Sequence, residues 1–392
     1  MAHEKWQETE LGSFVSLQRG HDLPDHQRKS GAIPILGSFG ITGYHDKAKA
    51  KGPGVTVGRS GASFGTVSFS RIDYWPLNTA LFVTNFHGND ERFAYYALRS
   101  IDFKRYNSGS AQPSLNRNYI RSLRIKVPPK AEQLAIANIL GSLDDKIELN
   151  RQTNETLEAI ARIQFRSWFV DFDPVRAKAE ARQPFGMNVE TAALFPDSFG
   201  DSPVGKIPQG WRVQELGNIA DVNWGDTNVT KRSYIQTGFR AFSASGPDGF
   251  LPYFDYDRVG VVVSAIGAES GQSWLAVGKW SCIKNTIRFW ATAPDISTEY
   301  LFQVTWGKHQ WPLRGSAQPF ISQGDARRMK VIVPASGLGT IYGNAVAPLH
   351  RRMHANNEES STLASIRDAL LPKLISGEIR IKDAEQIIGA KL

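Results

Sequence analysis

GSAQPSLNR, residues 109–117, has a near copy at residues 315–323, GSAQPFISQ. Five identical residues in a row, 206 apart, in a 392-residue chain point to an internal repeat. Shifting the chain on itself by 205–207 positions extends the match on both sides. WQETELGSFVSLQRG (6–20) lies over WRVQELGNIADVNWG (211–225), and GVTVGRSGASFG (54–65) over GVVVSAIGAESG (260–271). Asn78-Thr79 falls over Asn285-Thr286, and RSLRIKVP (121–128) over RRMKVIVP (327–334). Order and shift are kept throughout, so a domain of roughly 125–130 residues is present twice.

Each copy is written in short Val, Ile, Phe and Thr runs broken by Gly, Asn, Asp and Pro, the pattern of a mostly β domain. RFAYYALRS (92–100) and STEYLFQVTW (297–306) read as one helix per copy. The segment after each copy is different in kind. Residues 131–170 contain one glycine, Gly141, and no proline, and Ile136, Ile139, Leu140, Leu143, Ile147, Leu157, Ile160 and Ile163 recur at helical spacing. Such a helix is roughly 60 Å long and reads as a coiled-coil arm. After the second copy Met353, Leu363, Ile366, Leu370 and Leu374 form a similar stripe. Asn150 falls over Asn356 at the same shift, so the arms are diverged copies as well. Antiparallel pairing buries both stripes, with Leu140, Leu143, Ile147, Leu157, Ile160, Met353, Leu363, Ile366 and Leu370 as the seam. Gly337, Gly339, Gly343 and Pro348 predict a shortened or kinked start to the second arm.

The expected organisation is α+β: a β domain (1–130), a long helix (131–173), a Pro/Gly-rich linker (174–210), a second β domain (211–335), and a second long helix with its tail (336–392).

No apolar run approaches the roughly 18 residues of a membrane span, and the first ten residues lack the apolar core of a signal peptide. The single cysteine, Cys282, excludes an intrachain disulfide and fits a reducing cytoplasm. It lies in a strand-like run, WSCIKNTIRFW, as an ordinary small buried side chain. The net charge is +8, and Lys and Arg outnumber Asp and Glu by 18 to 10 in residues 1–130. Most of that excess lies in 101–130, a footprint suited to a polyphosphate. There is no GxxxxGK[ST] phosphate loop and no Asn/Asp-Pro-Pro-aromatic motif to hold a flipped adenine. GLGTIYG (337–343) has the wrong spacing for a dinucleotide loop. His350 and His354 are spaced as in a zinc helix, but Arg351 stands where the glutamate belongs.

PPKAEQLAIANILGSLDDKIELN (128–150), FRSWFVDFDPV (165–175), FPDSFGDSPVGKIPQGW (195–211) and IRDALLPKLISGEI (366–379) resemble the junction segments of specificity subunits of type I restriction-modification systems. The resemblance covers nearly the whole chain. It departs at the second arm, which lacks the Pro-x-x-Glu-Gln opening of residues 129–133. It implies two target recognition domains, each reading one half of a bipartite site in double-stranded DNA, and helical regions that space them. It also implies no catalysis by this chain. Two modification subunits carry out adenine-N6 methylation, and restriction subunits carry out ATP-dependent cleavage. S-adenosylmethionine, ATP and Mg2+ are then bound by those partners and none by this subunit. An orphan or architectural DNA-binding protein without methyltransferase partners is the alternative.

Three matched pairs of segments suit DNA reading, because small residues admit close approach and Arg, Asn and Gln reach base edges. The glycine-rich loop with Arg59, Ser60 and Ser63 lies over one with Glu269 and Ser270. Asn78 lies over Asn285, next to Lys284. Ser110 and Gln112 of the first GSAQP lie over Ser316 and Gln318 of the second. Lys104, Arg105, Arg117 and Arg121 are candidates for phosphate contacts, and Asn118 is a further DNA-binding candidate. Each pair also has a plainer reading as a hairpin turn, a strand end or an invariant domain-shaping turn. Identity in both copies favours that plainer role for GSAQP, whereas Arg59 against Ala265 and Ser63 against Glu269 are where the copies could read different bases. The arms are long enough to hold two domains roughly 34–36 Å apart, one turn of B-DNA. Trp168 and Phe169 are candidates for docking the modification subunits, or equally for packing on the linker.

Overall fold

In each repeat the Gly-Val-x-Val strand opens on glycine because an aromatic ring occupies the space of a side chain. A Cβ on Gly54 would lie 2.2 Å from the Tyr74 ring, and one on Gly260 2.3 Å from Trp280. The computed structural model describes residues 6–109, 112–315 and 318–391. They form two units: the chain up to Leu149 together with Glu359 onward, and Asn150–Glu358.

The first unit runs β1 (Gln7–Glu10), α1 (Leu11–Phe14), β2 (Ser16–Arg19), β3 (Ile33–Gly37), β4 (Gly40–His45), β5 (Gly54–Gly58), β6 (Val67–Ser70), β7 (Trp75–Pro76), β8 (Ala80–Asn85), α2 (Glu91–Arg99), α3 (Arg117–Ile120) and β9 (Arg124–Val127). The long helix α4 (Lys130–Phe169) begins here. One sheet has the order β2-β8-β5-β6 and a second β4-β3-β7, while β1 pairs antiparallel with β9. The Asp90 side chain caps α2 by accepting from the Phe93 amide at 2.7 Å, which turns Phe93 and Tyr96 into the core.

The second unit continues α4 with α5 (Asp173–Ala179), α6 (Val189–Ala193), and the hairpin β10 (Phe199–Ser202) and β11 (Gly205–Pro208). Then come β12 (Arg212–Glu215), α7 (Leu216–Ile219), β13 (Ala220–Trp224), β14 (Phe239–Ser243), β15 (Gly246–Leu251), β16 (Tyr256–Asp257), β17 (Gly260–Ser264), β18 (Ser273–Ala276), β19 (Lys279–Cys282) and β20 (Thr286–Ala291). They are followed by α8 (Thr298–Val304), α9 (Gln323–Arg328), β21 (Lys330–Val333) and α10 (Leu338–Ser376). The sheet order β13-β20-β17-β18 repeats that of the first unit, β15-β14-β19 repeats β4-β3-β7, and β12 pairs with β21 as β1 does with β9. A last helix, α11 (Ile381–Lys391), belongs to the first unit and buries Ala384 there.

The chain is thus α+β: two mostly β domains of one topology, joined by two long helices that pack antiparallel. In the first unit Asp144 of α4 accepts from Arg367 of α10 at 2.6 Å, and Lys146 pairs with Glu359. In the second, Asn154 donates to the Met353 carbonyl and Ala161 O accepts from the Tyr342 hydroxyl at 2.9 Å. Leu140, Leu143, Leu363, Ile366 and Leu370 are buried in the first unit, and Ile147 half-buried. Each fully buried side chain of this kind stabilises by about 1.5–3 kcal/mol relative to exposure. Gly141 sits mid-helix because the Arg92 guanidinium takes its side-chain space and donates to its carbonyl at 2.8 Å.

Three expectations need correction. Ile160 is not in the seam: it is 47 % exposed, and the four-residue step from half-buried Leu157 lands on fully buried Ala161. Small Ala161 admits Tyr342, and Phe165 and Phe169 continue the buried row. Trp168 and Phe169 therefore do not form an outer docking face. Phe169 packs among Trp211, Tyr300 and Tyr342, edge-on to both tyrosines, and Trp168 meets Phe195 edge-on. Third, α10 is not shortened: it runs from Leu338 to Ser376, and of the three glycines Gly337, at φ +66, stays outside it. Gly339 and Gly343 lie inside it against Ile296 and Ser297, where a Cβ would come within 3.0 and 2.1 Å of side-chain atoms. The Ser297 hydroxyl donates to Gly339 O. Pro348 is on the exposed side, so water can bond the carbonyl it leaves free.

α4 is anchored differently. Buried Gln133 donates to Asn89 Oδ1 and Pro128 O and accepts from the Asp90 amide, all at 2.9–3.0 Å. Glutamine in one arm and glycine in the other solve the same docking problem.

Candidate nucleic-acid interface

The β5–β6 loop turns at Gly61 and Gly65, both at positive φ, which favours glycine there. It is stapled to the segment containing GSAQP. Gly61 N donates to Pro113 O at 3.1 Å, and Leu115 N to Arg59 O at 2.7 Å. Asn107 Oδ1 closes the turn by accepting from the amides of Gly109 and Ser114. The second unit repeats the staple: Gly267 N donates to Pro319 O at 2.9 Å and Ile321 N to Ala265 O at 2.8 Å. The repeated pentapeptide therefore presents its proline carbonyl to the loop glycine in both copies. Gln112 and Gln318 are exposed beside these staples. Ser110 and Ser316 lie outside the described residues.

In the first unit the stapled loops border a polar cleft of about 660 Å³, lined among others by Gln18, Arg19, His21, Arg59, Asn116 and Arg117. Asn116 caps α3 by accepting from the Asn118 amide, which sets Arg117 at the rim. Arg59 Nη1 donates to Asn78 O and Arg117 Nη1 to Leu17 O, each at 3.4 Å. A smaller hollow of about 290 Å³ adjoins it, where Arg117, Asn118 and Arg121 meet Ser16. Ser60 bridges to Ser114 and is half-buried, as is Ser63. Lys104 and Arg105 stand exposed on the turn Phe103–Tyr106, with Arg105 paired to Asp102 at 3.1 Å. Asn78 is committed within the fold, its amide bonded to the Asp22 carboxylate.

The corresponding positions in the second unit keep the backbone and change the chemistry. His21 bridges to Leu77 as Asp226 does to Ile283, and Gly20 and Gly225 both press against main-chain carbonyls where a Cβ would clash. On that frame Trp224, Asp226, Ala265 and Gln323 replace Arg19, His21, Arg59 and Arg117. Gln323 makes the bond of Arg117 one repeat later, donating to Val222 O at 3.0 Å. The Ser322 hydroxyl, joined by the flanking Arg314 and Arg328, holds the Asp325 carboxyl down at about 2. Glu269 is exposed and pairs with Lys308 at 2.9 Å. Lys284 is exposed. Asn285 adopts φ +71 and accepts from the Ala265 amide, so it shapes a turn. Ser270 is corrected outright: it is 1 % exposed and donates to Pro319 O at 2.7 Å, adding to the staple rather than facing a ligand.

Arg19, His21 and Asn116 escaped the sequence reading. The signal for Arg19 and His21 lay in the repeat itself, where QRGH (18–21) falls over NWGD (223–226) around the shared glycine, and Asn116 falls over Ser322. Among the described residues no group of three or more His, Cys, Asp or Glu is placed to hold a metal. Burial pushes the Cys282 thiol up to about 12, so it is inert. No helix of the described residues is long and apolar enough to cross a membrane.

Residues 3–159 match the family model described as type I restriction modification DNA specificity domain. The chain is similar to the type I restriction enzyme MjaIX specificity subunit of Methanocaldococcus jannaschii, at 25 % identity over 74 % of this chain and 69 % of that one. It is likewise similar to the HindI specificity subunit of Haemophilus influenzae, at 27 % identity over 68 % of this chain and 71 % of that one. In fold it resembles the S subunit of a type I restriction-modification system from M. genitalium. That likeness has a TM-score of 0.62 at 20 % identity, over 94 % of this chain and 96 % of that one.

Proposed function

Because the chain belongs to the family of type I restriction-modification specificity subunits, we propose that it recognises a bipartite, asymmetric site in double-stranded DNA, one half per β domain. It directs adenine-N6 methylation by two modification subunits and, with restriction subunits added, ATP-dependent cleavage. The chain performs no bond chemistry itself. S-adenosylmethionine, ATP and Mg2+ belong to the partners.

The observation that carries this reading is one scaffold bearing two sets of side chains at matched positions: Arg19, Arg59 and Arg117 in one unit, Trp224, Ala265 and Gln323 in the other. Arginine pairs bidentately with guanine O6 and N7, and glutamine with adenine N6 and N7. A frame kept constant while such groups change is what two different half-sites demand. The GSAQP staple, identical in both units, positions the loops without discriminating.

Mapping methyladenine on long native reads of the host and of a strain lacking this gene tests the reading. A bipartite methyladenine motif that vanishes with the gene is expected. A methylome unchanged by the deletion, together with failure of the tagged chain to recover a modification subunit, refutes it.

A further inference from the structure

The β3–β4 hairpin of the first unit carries an apolar group that the cleft does not absorb. Phe39 at its tip is 64 % exposed, and Ile41 and Tyr44 behind it are also exposed. A single exposed apolar side chain is ordinary, but three on one short hairpin mark a contact surface. The tip is not remote from the cleft. Gly37 and Gly40 face each other across the two-residue turn Ser38-Phe39, and the Ser38 carbonyl lies where a Cβ on Gly58 would be, 2.3 Å away. Gly58 immediately precedes Arg59. Basic side chains flank the hairpin: Arg28, paired with Asp25 at 2.9 Å, donates through Nη1 to Thr42 O, and Lys29 and Lys47 are exposed, the latter next to Asp46.

The matched hairpin of the second unit is built otherwise. Ser245 stands at the position of Phe39, and the Lys231 ammonium bonds both its hydroxyl and the Asp248 carboxylate. Tyr234 and Ser243 also bond Asp248, so this tip is tied down by polar groups. Polar closure in one copy and an unpartnered aromatic in the other is a difference in task rather than in folding.

We propose that Phe39 is a stacking wedge, which enters the duplex at the half-site of the first unit and lies against an unstacked base. This rests on the reading of that domain as a DNA reader. Duplex DNA is the occupant that both features call for. The basic side chains around the hairpin fit phosphates, and an apolar ring at the end of a thin hairpin can slide between bases, as wedges of this residue type do.

Duplexes selected from a randomised pool by the full wild-type chain supply the probe, with 2-aminopurine placed at successive positions of both half-sites. Wild-type protein should raise fluorescence at one or two adjacent steps of one half-site. Phe39→Ala should abolish that rise and weaken binding roughly five- to a hundredfold, with the salt slope and the other half-site unchanged. Phe39→Tyr should retain the rise. An equal thermal midpoint establishes that the alanine variant is folded, and Phe39→Ser serves in its place if it is not. The wedge is overturned if the rise survives in the alanine variant, or if that variant loses only a modification subunit. Selective binding by the wild type would still uphold DNA reading in either case. A wild-type chain that selects no sequence removes the reading and the wedge together.

Discussion

Asn150 Nδ2 donates to the main-chain carbonyl of Asn356 at 3.3 Å, joining two residues that occupy the same position in the two repeats. Both are buried, at 2 % and 1 % exposure. Asn356 in turn donates to Asn154 Oδ1 at 2.8 Å, and Asn154 to Asn357 Oδ1 at 2.9 Å. The asparagines that interrupt the hydrophobic stripe in the sequence are thus the point where the arms lock in register. Buried amides in a helix seam cost stability and gain alignment, because only one register pairs them.

The two amides should therefore act as one network. Asn150→Ala takes a donor from the Asn356 carbonyl, Asn356→Ala strands Asn154 Oδ1, and each should lower unfolding free energy by about 1–3 kcal/mol. Asn150→Ala combined with Asn356→Ala should cost less than the sum of the singles, because both break the same network. Urea denaturation of the two singles and the double decides; additive losses would remove the register argument.

The cleft predicts two kinds of arginine. Arg59→Ala should alter preference within one half-site by about 1–3 kcal/mol while leaving scrambled DNA unaffected. Arg105→Ala, out on an exposed turn, should weaken all sequences alike and lower the salt-dependence slope by about 0.9. Binding titrations on selected and scrambled duplexes at several salt concentrations separate them. Equal loss on both DNAs for Arg59→Ala would contradict its place as a reader.

Gly109 tests the staple. A Cβ there would sit 1.9 Å from the Gln112 carbonyl oxygen, so Gly109→Ala cannot keep the GSAQP turn. Binding to the first half-site should fall at least tenfold, about 1.4 kcal/mol, with the second half-site read normally. Gly315→Ala should do the reverse, since Gly315 has φ +78 and a Cβ there would lie 2.7 Å from Gln318 O.

His350 sets an acid limit on stability. It is 6 % exposed, neither ring nitrogen has a hydrogen-bond partner among the described residues, and burial lowers its pKa from 6.5 to about 4. In the unfolded chain it takes up a proton below about 6.5, while the folded protein resists until about 4, so folding loses stability as pH falls across that window. The full loss is about 3 kcal/mol. His350→Leu should flatten that part of the stability–pH curve, measured by urea midpoints from about pH 7 to about pH 4.

The sequence alone determined the duplication, the mostly β character of each copy, and the two long helices. All of these rest on local periodicity and on the comparison of the chain with itself. It also singled out Arg59, because residues that differ between two aligned copies stand out without coordinates, and Arg117, because it lies in a basic cluster. Only the tertiary structure decided which side chains point where. Ser270 and Ser63 look alike in their loops, yet Ser270 turns inward to Pro319 O. Ile160 fits a hydrophobic stripe on paper, but at about 3.6 residues per turn the seam moves on to Ala161. Glycines that should have broken the second arm are inside it, because their cost in helix propensity is offset by close contact with Ser297 and Ile296. Packing partners distant in sequence settled each of these, and a local pattern does not contain them.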